Sequence, residues 1–241
     1  MNNTNSQLGR HVHVWRLPLQ AEEDTVATFE KILCPEELAR ADGFRFDDLR
    51  RRFIIARGSL RIILARYLHT DPNRVQFSYG PSGKPYVDNS AEIRFNISHS
   101  DDLAILAFAS HCDLGVDIEH IRSSVDIIGI ARRFFHKAEF ADLVSLPASK
   151  REEAFALCWT RKEACVKAAG GSLFAPLDAF HVTLRPGEPA RLRYLPFIDG
   201  KLSWSMQDLS EMPHYAGALV YQDRARPVNV AAFEDASELL D

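Results

Sequence analysis

Polar and apolar side chains alternate from His11 to Leu17, and the run carries Val and Trp, which predicts a strand. Pro35-Glu36-Glu37 sets a proline and two acids where the first turn of a helix favours them. An amphipathic stretch from Asp47 to Leu68 predicts a long helix that stops before Thr70-Asp71-Pro72. Strands are expected over 75–79, 94–98, 103–110 and 114–119, with a turn at Gly80-Pro81-Ser82-Gly83-Lys84-Pro85 and a loop at His99-Ser100-Asp101-Asp102. The order then repeats. A helix opens around Phe134 to Phe140, and a longer one covers Lys150 to Ala169 and closes at Gly170-Gly171. Strands follow over 179–185, 191–195, 202–207, 215–221 and 228–233.

The two runs of elements superpose in sequence. Glu37 and Glu139 lie 102 positions apart, as do Phe53 and Phe155, and Gly115-Val116-Asp117-Ile118-Glu119 resembles 229–234 at a larger offset. The pattern predicts an α+β fold of two similar subdomains related by a pseudo-twofold axis. The expected divisions are a flexible leader over 1–10, an N-terminal subdomain over 11–113 and a C-terminal subdomain over 114–241. Ligands often bind where such units meet.

Composition narrows the function classes. With 241 residues, 46% of them hydrophobic, the chain can bury one large core or two smaller ones. A net charge of −4 gives no reason to expect nucleic acid as a partner. From Arg40 to Arg74, nine arginines stand against four aspartates, a local cationic surface suited to a phosphorylated or acidic partner; the competing reading for most of them is a solvated helix face. The four cysteines form no CxxC pair and no zinc-like spacing, in keeping with a reducing compartment. The N-terminus lacks an apolar signal region, and the longest apolar run, Leu103 to Ala109, is too short for a bilayer. A soluble, cytoplasmic protein is the expectation.

The chemistry concentrates in two segments. Asp117 and Glu119 sit two apart in an apolar strand and therefore point to one face. Acids there are costly unless paired or bound to metal; the competing reading is a solvated strand end. Glu163 and Lys167, one helical turn apart, share a face and, taken alone, are an ordinary surface ion pair. Three carboxylates and an ammonium converging would suit Mg²⁺ and a phosphate-bearing substrate. Asn96-Ile97-Ser98-His99-Ser100 could cradle an anion or be a plain turn. No G-x-S-x-G elbow surrounds the serines, Gly83-Lys84-Pro85 is no Walker loop, and acids two apart on one strand do not fit a glycosidase.

Taken in order, Gly83-Lys84-Pro85-Tyr86, Phe95-Asn96-Ile97-Ser98-His99-Ser100, Gly115-Val116-Asp117-Ile118-Glu119, Phe134-Phe135-His136-Lys137-Ala138-Glu139 and the run from Trp159 to Gly170 resemble the 4′-phosphopantetheinyl transferases of the Sfp type. The likeness covers roughly residues 40–185. It implies the pseudo-twofold α+β fold and a reaction that moves the phosphopantetheine arm of coenzyme A onto a serine of an apo acyl or peptidyl carrier protein, releasing adenosine 3′,5′-bisphosphate. It also implies Mg²⁺ held by Asp117, Glu119 and Glu163, with Lys167 on the phosphate where charge develops and Glu139 as general base. Ser98 and His99 would bind the 3′-phosphate, Lys84 and Pro85 would border the adenine, and Arg45 would contact coenzyme A. A pseudo-dimeric monomer is expected. Two other readings use the same residues: a Mg²⁺-dependent hydrolase of a nucleotide pyrophosphate, and a non-catalytic coenzyme A- or carrier-binding protein of the same fold.

Overall fold

In the computed structural model, which describes residues 8–9, 11–88, 92–122, 125–170, 176–194 and 203–240, the chain passes twice through one order of elements. The first pass runs β1 (Val12–Pro18), α1 (Glu23–Glu30), α2 (Pro35–Asp42), α3 (Asp47–Leu68), the hairpin β2 (Phe77–Tyr79) and β3 (Pro85–Val87), then β4 (Ile93–Ser100) and β5 (Leu103–Ser110). The second runs β6 (Leu114–His120), α4 (Ile127–Phe134), α5 (Lys137–Ser145), α6 (Ala148–Ala168), the hairpin β7 (His181–Val182) and β8 (Leu192–Tyr194), then β9 (Ser205–Asp208) and β10 (Tyr215–Tyr221). A last strand, β11 (Val228–Ala232), and a 3₁₀ turn over Ala236–Leu239 follow.

The sheets repeat the duplication. One has the order β11-β1-β5-β4 and the other β6-β10-β9. In each half the first strand pairs antiparallel with the last, which pairs antiparallel with the one before it. The structural counterpart of β6 is therefore β1. The sequence likeness of 115–119 to 229–234 does not mark equivalent strands, because β11 is an added edge strand lying parallel to β1. The boundary between 113 and 114 falls between β5 and β6, but the end of the chain returns to the first half, where Ala236 and Leu239 are buried in its core.

Separate cores on the two faces of β5 explain the long apolar strands. Leu106 and Phe108 of β5 pack under α1 and α3 in the first half, while Ile105, Ala107 and Ala109 point the other way. These meet Leu114, Val116 and Ile118 of β6 and Leu219 of β10 in a core shared by both halves. A strand buried on both faces reads as a continuous apolar run, as 103–109 does. The remaining face of β6, carrying Gly115, Asp117 and Glu119, is left for α6.

Several element limits shift. Strand β4 extends through His99 and Ser100, so only Asp101 and Asp102 turn the chain, with Asp101 at φ 48°. The helix expected from Phe134 is two: α4 ends at Phe134, and α5 starts after its cap, His136. The strand expected over 179–185 shrinks to His181–Val182, because a 3₁₀ turn over Leu177–Ala179 takes its start and the register to β8 shifts after His181. The leader expectation falls largely outside the described residues; Leu8 is buried.

Candidate active site

The site begins with the close approach of β6 to α6. A Cβ on Gly115 would lie 2.2 Å from the Ala164 carbonyl oxygen and 2.3 Å from the Ala168 nitrogen. Only glycine admits that contact. It brings the last turns of α6, with Glu163 and Lys167, against the face of β6 that carries Asp117 and Glu119. Lys167 Nζ donates to Asp117 Oδ1 at 2.6 Å, to Ser98 Oγ at 3.0 Å and to the Val116 carbonyl at 3.3 Å. Ser98 Oγ donates to the same Asp117 oxygen at 2.8 Å. Ser100 Oγ donates to Glu119 Oε2 at 2.9 Å.

The acids carry an electrostatic load. Asp117 is 4% exposed and Glu163 5% exposed. Burial first, then the Asp117 charge, pushes the Glu163 carboxyl above its ordinary range. Burial likewise raises Glu119, and Asp117 adds to it, against the lowering effect of the Ser100 hydroxyl. One ammonium serves three carboxylates. Among the described residues Asp117 Oδ2 is buried without a hydrogen-bond partner. Buried carboxylate oxygens are normally satisfied, so an unpartnered one facing two further acids fits a bound hard cation. No finished cage of three or more His, Cys, Asp or Glu ligands is drawn together among the described residues. In this arrangement Lys167 occupies one Asp117 oxygen and leaves the other.

A cavity of about 650 Å³ opens on the far side of β4. Arg40, Phe53, Arg57, Phe77, Tyr79, Pro85 and His99 contribute to its wall. Successive strand residues face opposite sides, so His99 lines this cavity while Ser98 faces Asp117. Desolvation, followed by the charges of Lys167, Arg52 and Arg40, holds the His99 imidazole below its usual value. That surrounding suits an anion. Of these arginines, Arg52 is paired with Asp102 at 2.5 Å, whereas Arg40 lies over the Phe53 ring. Arg57 and Arg61 are taken up by Glu37 at 2.5 and 2.6 Å.

Four expected residues sit differently. Glu139 is 0% exposed, ion-paired with Lys162 at 2.8 Å, and accepts from the amides of His136 and Val182, both at 2.8 Å. Its oxygens are engaged inside the core, an environment at odds with the general-base role expected of it. Arg45 stacks on Phe46 and does not line the cavity; Arg40, one helix earlier, does. Ser98 faces Asp117, to which it donates its hydrogen, and not the cavity. Lys84 Nζ donates to the carbonyls of Leu114 and Lys167 at 2.8 and 2.7 Å, tying the β2–β3 loop to β6 and α6, while its neighbour Pro85 lines the cavity. Burial lowers the Lys84 amine to about 8. The signal for Arg40 was present: on α2 it lies one turn after Glu37 (i, i+3), which faces the same cavity.

Comparison with known proteins agrees with this arrangement. The model of the 4′-phosphopantetheinyl transferase superfamily matches residues 113–220, and that of the 4′-phosphopantetheinyl transferase N-terminal unit matches 18–111. The chain is 40% identical over 205 residues to the 4′-phosphopantetheinyl transferase HetI of Nostoc sp., covering 84% of each protein. It is 33% identical over 196 residues to a putative 4′-phosphopantetheinyl transferase of Synechocystis sp., covering 80% of this chain and 77% of that one. It is 32% identical over 167 residues to the 4′-phosphopantetheinyl transferase Sfp of Bacillus subtilis, covering 69% of this chain and 72% of that one. With the duplicated α+β fold and the paired acids of β6 and α6 beside an arginine-lined cavity, the chain belongs to the Sfp-type 4′-phosphopantetheinyl transferase family.

Proposed function

We propose that this chain transfers the 4′-phosphopantetheine arm of coenzyme A to a serine of an apo carrier protein at the junction of β4, β6 and α6. The observation that supports this most is the trio of buried Asp117 and Glu163 with half-buried Glu119, carrying an unpartnered Asp117 oxygen, one strand away from a cation-lined cavity. Asp117, Glu119 and Glu163 would hold Mg²⁺. When bound, the ion would neutralise pyrophosphate oxygens as charge develops on the leaving adenosine 3′,5′-bisphosphate. Lys167, anchored by Ser98 and Asp117, places a fixed positive charge at the same spot without reorganisation.

The cavity takes the nucleotide end. Arg40 supplies a cationic wall for the 3′-phosphate and His99 a ring N–H to donate to it, and Pro85 with Phe77 offers an apolar wall for the base. The carrier serine attacks the phosphorus bonded to the pantetheine oxygen, the bond to adenosine 3′,5′-bisphosphate breaks, and the serine proton passes to solvent water.

The four cysteines are free, and no helix of the described residues is long and apolar enough to cross a membrane. We read the chain as a cytoplasmic enzyme that works as a single copy, since its two halves supply both walls of the site. The test is intact-protein mass spectrometry on a panel of apo acyl and peptidyl carrier proteins incubated with the enzyme, coenzyme A and Mg²⁺. A phosphopantetheine-sized gain that vanishes in chelator is the expected result. Coenzyme A binding with no gain on any carrier would overturn it in favour of a binding protein.

A further inference from the structure

The two halves meet along β4 and β6, yet these strands belong to different sheets. A row of side chains on β4 joins them. Asn96 Oδ1 accepts from the Val116 amide at 2.9 Å, Ser98 reaches Asp117, and Ser100 Oγ donates to Glu119 Oε2 at 2.9 Å while accepting from the His120 amide at 3.1 Å. Asn96, Ser98 and Ser100 share one face by the period of two. Each is buried: 7%, 8% and 8% exposed. The row is thus a polar seam inside a largely apolar junction, and two of its three members end on acids of the site.

We infer that Ser100 is a positioning residue for Glu119: its hydroxyl, aligned by the His120 amide, fixes the orientation in which the carboxylate faces Asp117 and Glu163. A serine hydroxyl has one hydrogen to donate. Here the His120 amide occupies an acceptor lobe, so the hydrogen is turned to Glu119. Glu119 is a longer side chain than Asp117, and among the described residues it is ion-paired with no lysine or arginine; Ser100 is the hydrogen-bond donor to its carboxylate. Asn96 serves the row differently. By holding the Val116 amide it pins the register of β6 against β4, and a slip of one residue would turn Asp117 and Glu119 into the shared apolar core.

This inference rests on the reading of Asp117, Glu119 and Glu163 as metal ligands, so the test separates the two. Mn²⁺ is titrated into the full-length protein without coenzyme A, and the free ion is counted by electron paramagnetic resonance, for wild type, Ser100→Ala, Ser100→Thr and Glu119→Gln. Melting temperatures are measured in chelator. Residues that orient metal ligands change affinity by about 10–100-fold when removed. Ser100→Ala is expected to weaken Mn²⁺ binding by about tenfold with a melting temperature close to wild type, and Ser100→Thr, which keeps the hydroxyl, to restore most of it. The metal concentration for half-maximal carrier modification should rise in parallel. Wild-type binding by Ser100→Ala beside weak binding by Glu119→Gln would overturn the role of Ser100 and leave the ligands standing. Wild-type binding by Glu119→Gln would overturn both. Failure of Ser100→Thr to restore binding would also overturn it, since the loss would then follow packing instead of the hydroxyl.

Discussion

At the residue scale, the site depends on one missing side chain and on unbalanced charge. Gly115 is the point where β6 touches α6, and the nearest atoms a Cβ would meet include backbone, which has no rotamer into which to retreat. Gly115→Ala is expected to destabilise the protein by about 1–3 kcal/mol or more, as overpacking does, and to push Glu163 and Lys167 away from Asp117. Urea unfolding together with the metal titration would show both. The charge makes a pH prediction. Glu119 and Glu163 have carboxyls raised above the ordinary 4.5 in the folded state. The native protein therefore holds protons that the unfolded chain has released, and metal-free stability falls as pH rises from about 4.5 through the folded values. Above the folded carboxyl values that penalty is fully present. Mg²⁺ binds the ionised form, so its increase in melting temperature should be largest near neutral pH and shrink as the pH falls toward the folded carboxyl values. A metal-induced shift that is independent of pH, or that persists in Glu163→Gln, would contradict the ligand assignment.

At the element scale, the duplication is clearest in two helix starts. Cys34 and His136 cap α2 and α5, and the acids three residues on, Glu37 and Glu139, return to the cap amides at 3.0 and 2.8 Å. Each acid then neutralises cations of the following long helix: half-buried Arg57 and buried Arg61 on α3 for Glu37, buried Lys162 on α6 for Glu139. Burial pushes the Glu37 carboxyl up, but the Arg61 hydrogen bond and the Arg57 charge outweigh it and leave it below its usual value. Both acids are struts between helices. Removing one partner of a buried pair costs about 3–5 kcal/mol because the other charge is stranded. Glu139→Gln should accordingly lose stability on that order by chemical denaturation, with little change in turnover per folded molecule. A collapse of turnover at full stability would return Glu139 to the chemistry.

That pair also shows how far the sequence could be read. The spacing of 102 between Glu37 and Glu139 was visible, and so was the run from Asp47 to Leu68 that became α3 unchanged, because long periodic helices declare themselves. Asp117, Glu119, Glu163 and Lys167 were legible through strand and helix periods. The burial of Glu139 was not, since its partners Lys162 and Val182 come from distant segments. The helices α1 and α4 were overlooked, although Asp126, whose side chain accepts from the Gly129 amide, marked the start of α4. The serine row of β4 has no signature in one strand alone: its meaning lies in β6.

At the scale of the whole molecule, the shared core and the returning tail make the halves one folding unit. Val12 and Val14 of β1 pack with Leu114, Val116 and Ile118 of β6, and β11 closes the first sheet from the far end of the chain. Arg66 Nη2 donates to the Leu239 carbonyl at 2.8 Å, fastening the tail to α3. A chain ending after Arg226 would lose the edge partner of β1 and the buried Ala236 and Leu239. It should melt well below the full chain and lose cooperativity; an unchanged melting curve would show the tail to be dispensable. The expected division at 113 and 114 lies between β5 and β6, whereas the return of β11 has no signal in the sequence, because a strand's pairing partner is set by packing across the molecule and not by its own pattern.

The most direct test of the central claim is the rate of carrier modification by Glu163→Gln at saturating coenzyme A and Mg²⁺, compared with wild type at matched folded concentration. The substitution removes one charge from the three-acid cluster and little volume. The account predicts a loss of at least about a hundredfold, the range seen when a group that stabilises developing charge is removed, with the melting temperature in chelator equal to or above that of wild type. Turnover near the wild-type rate would contradict it and place the reaction elsewhere in the molecule.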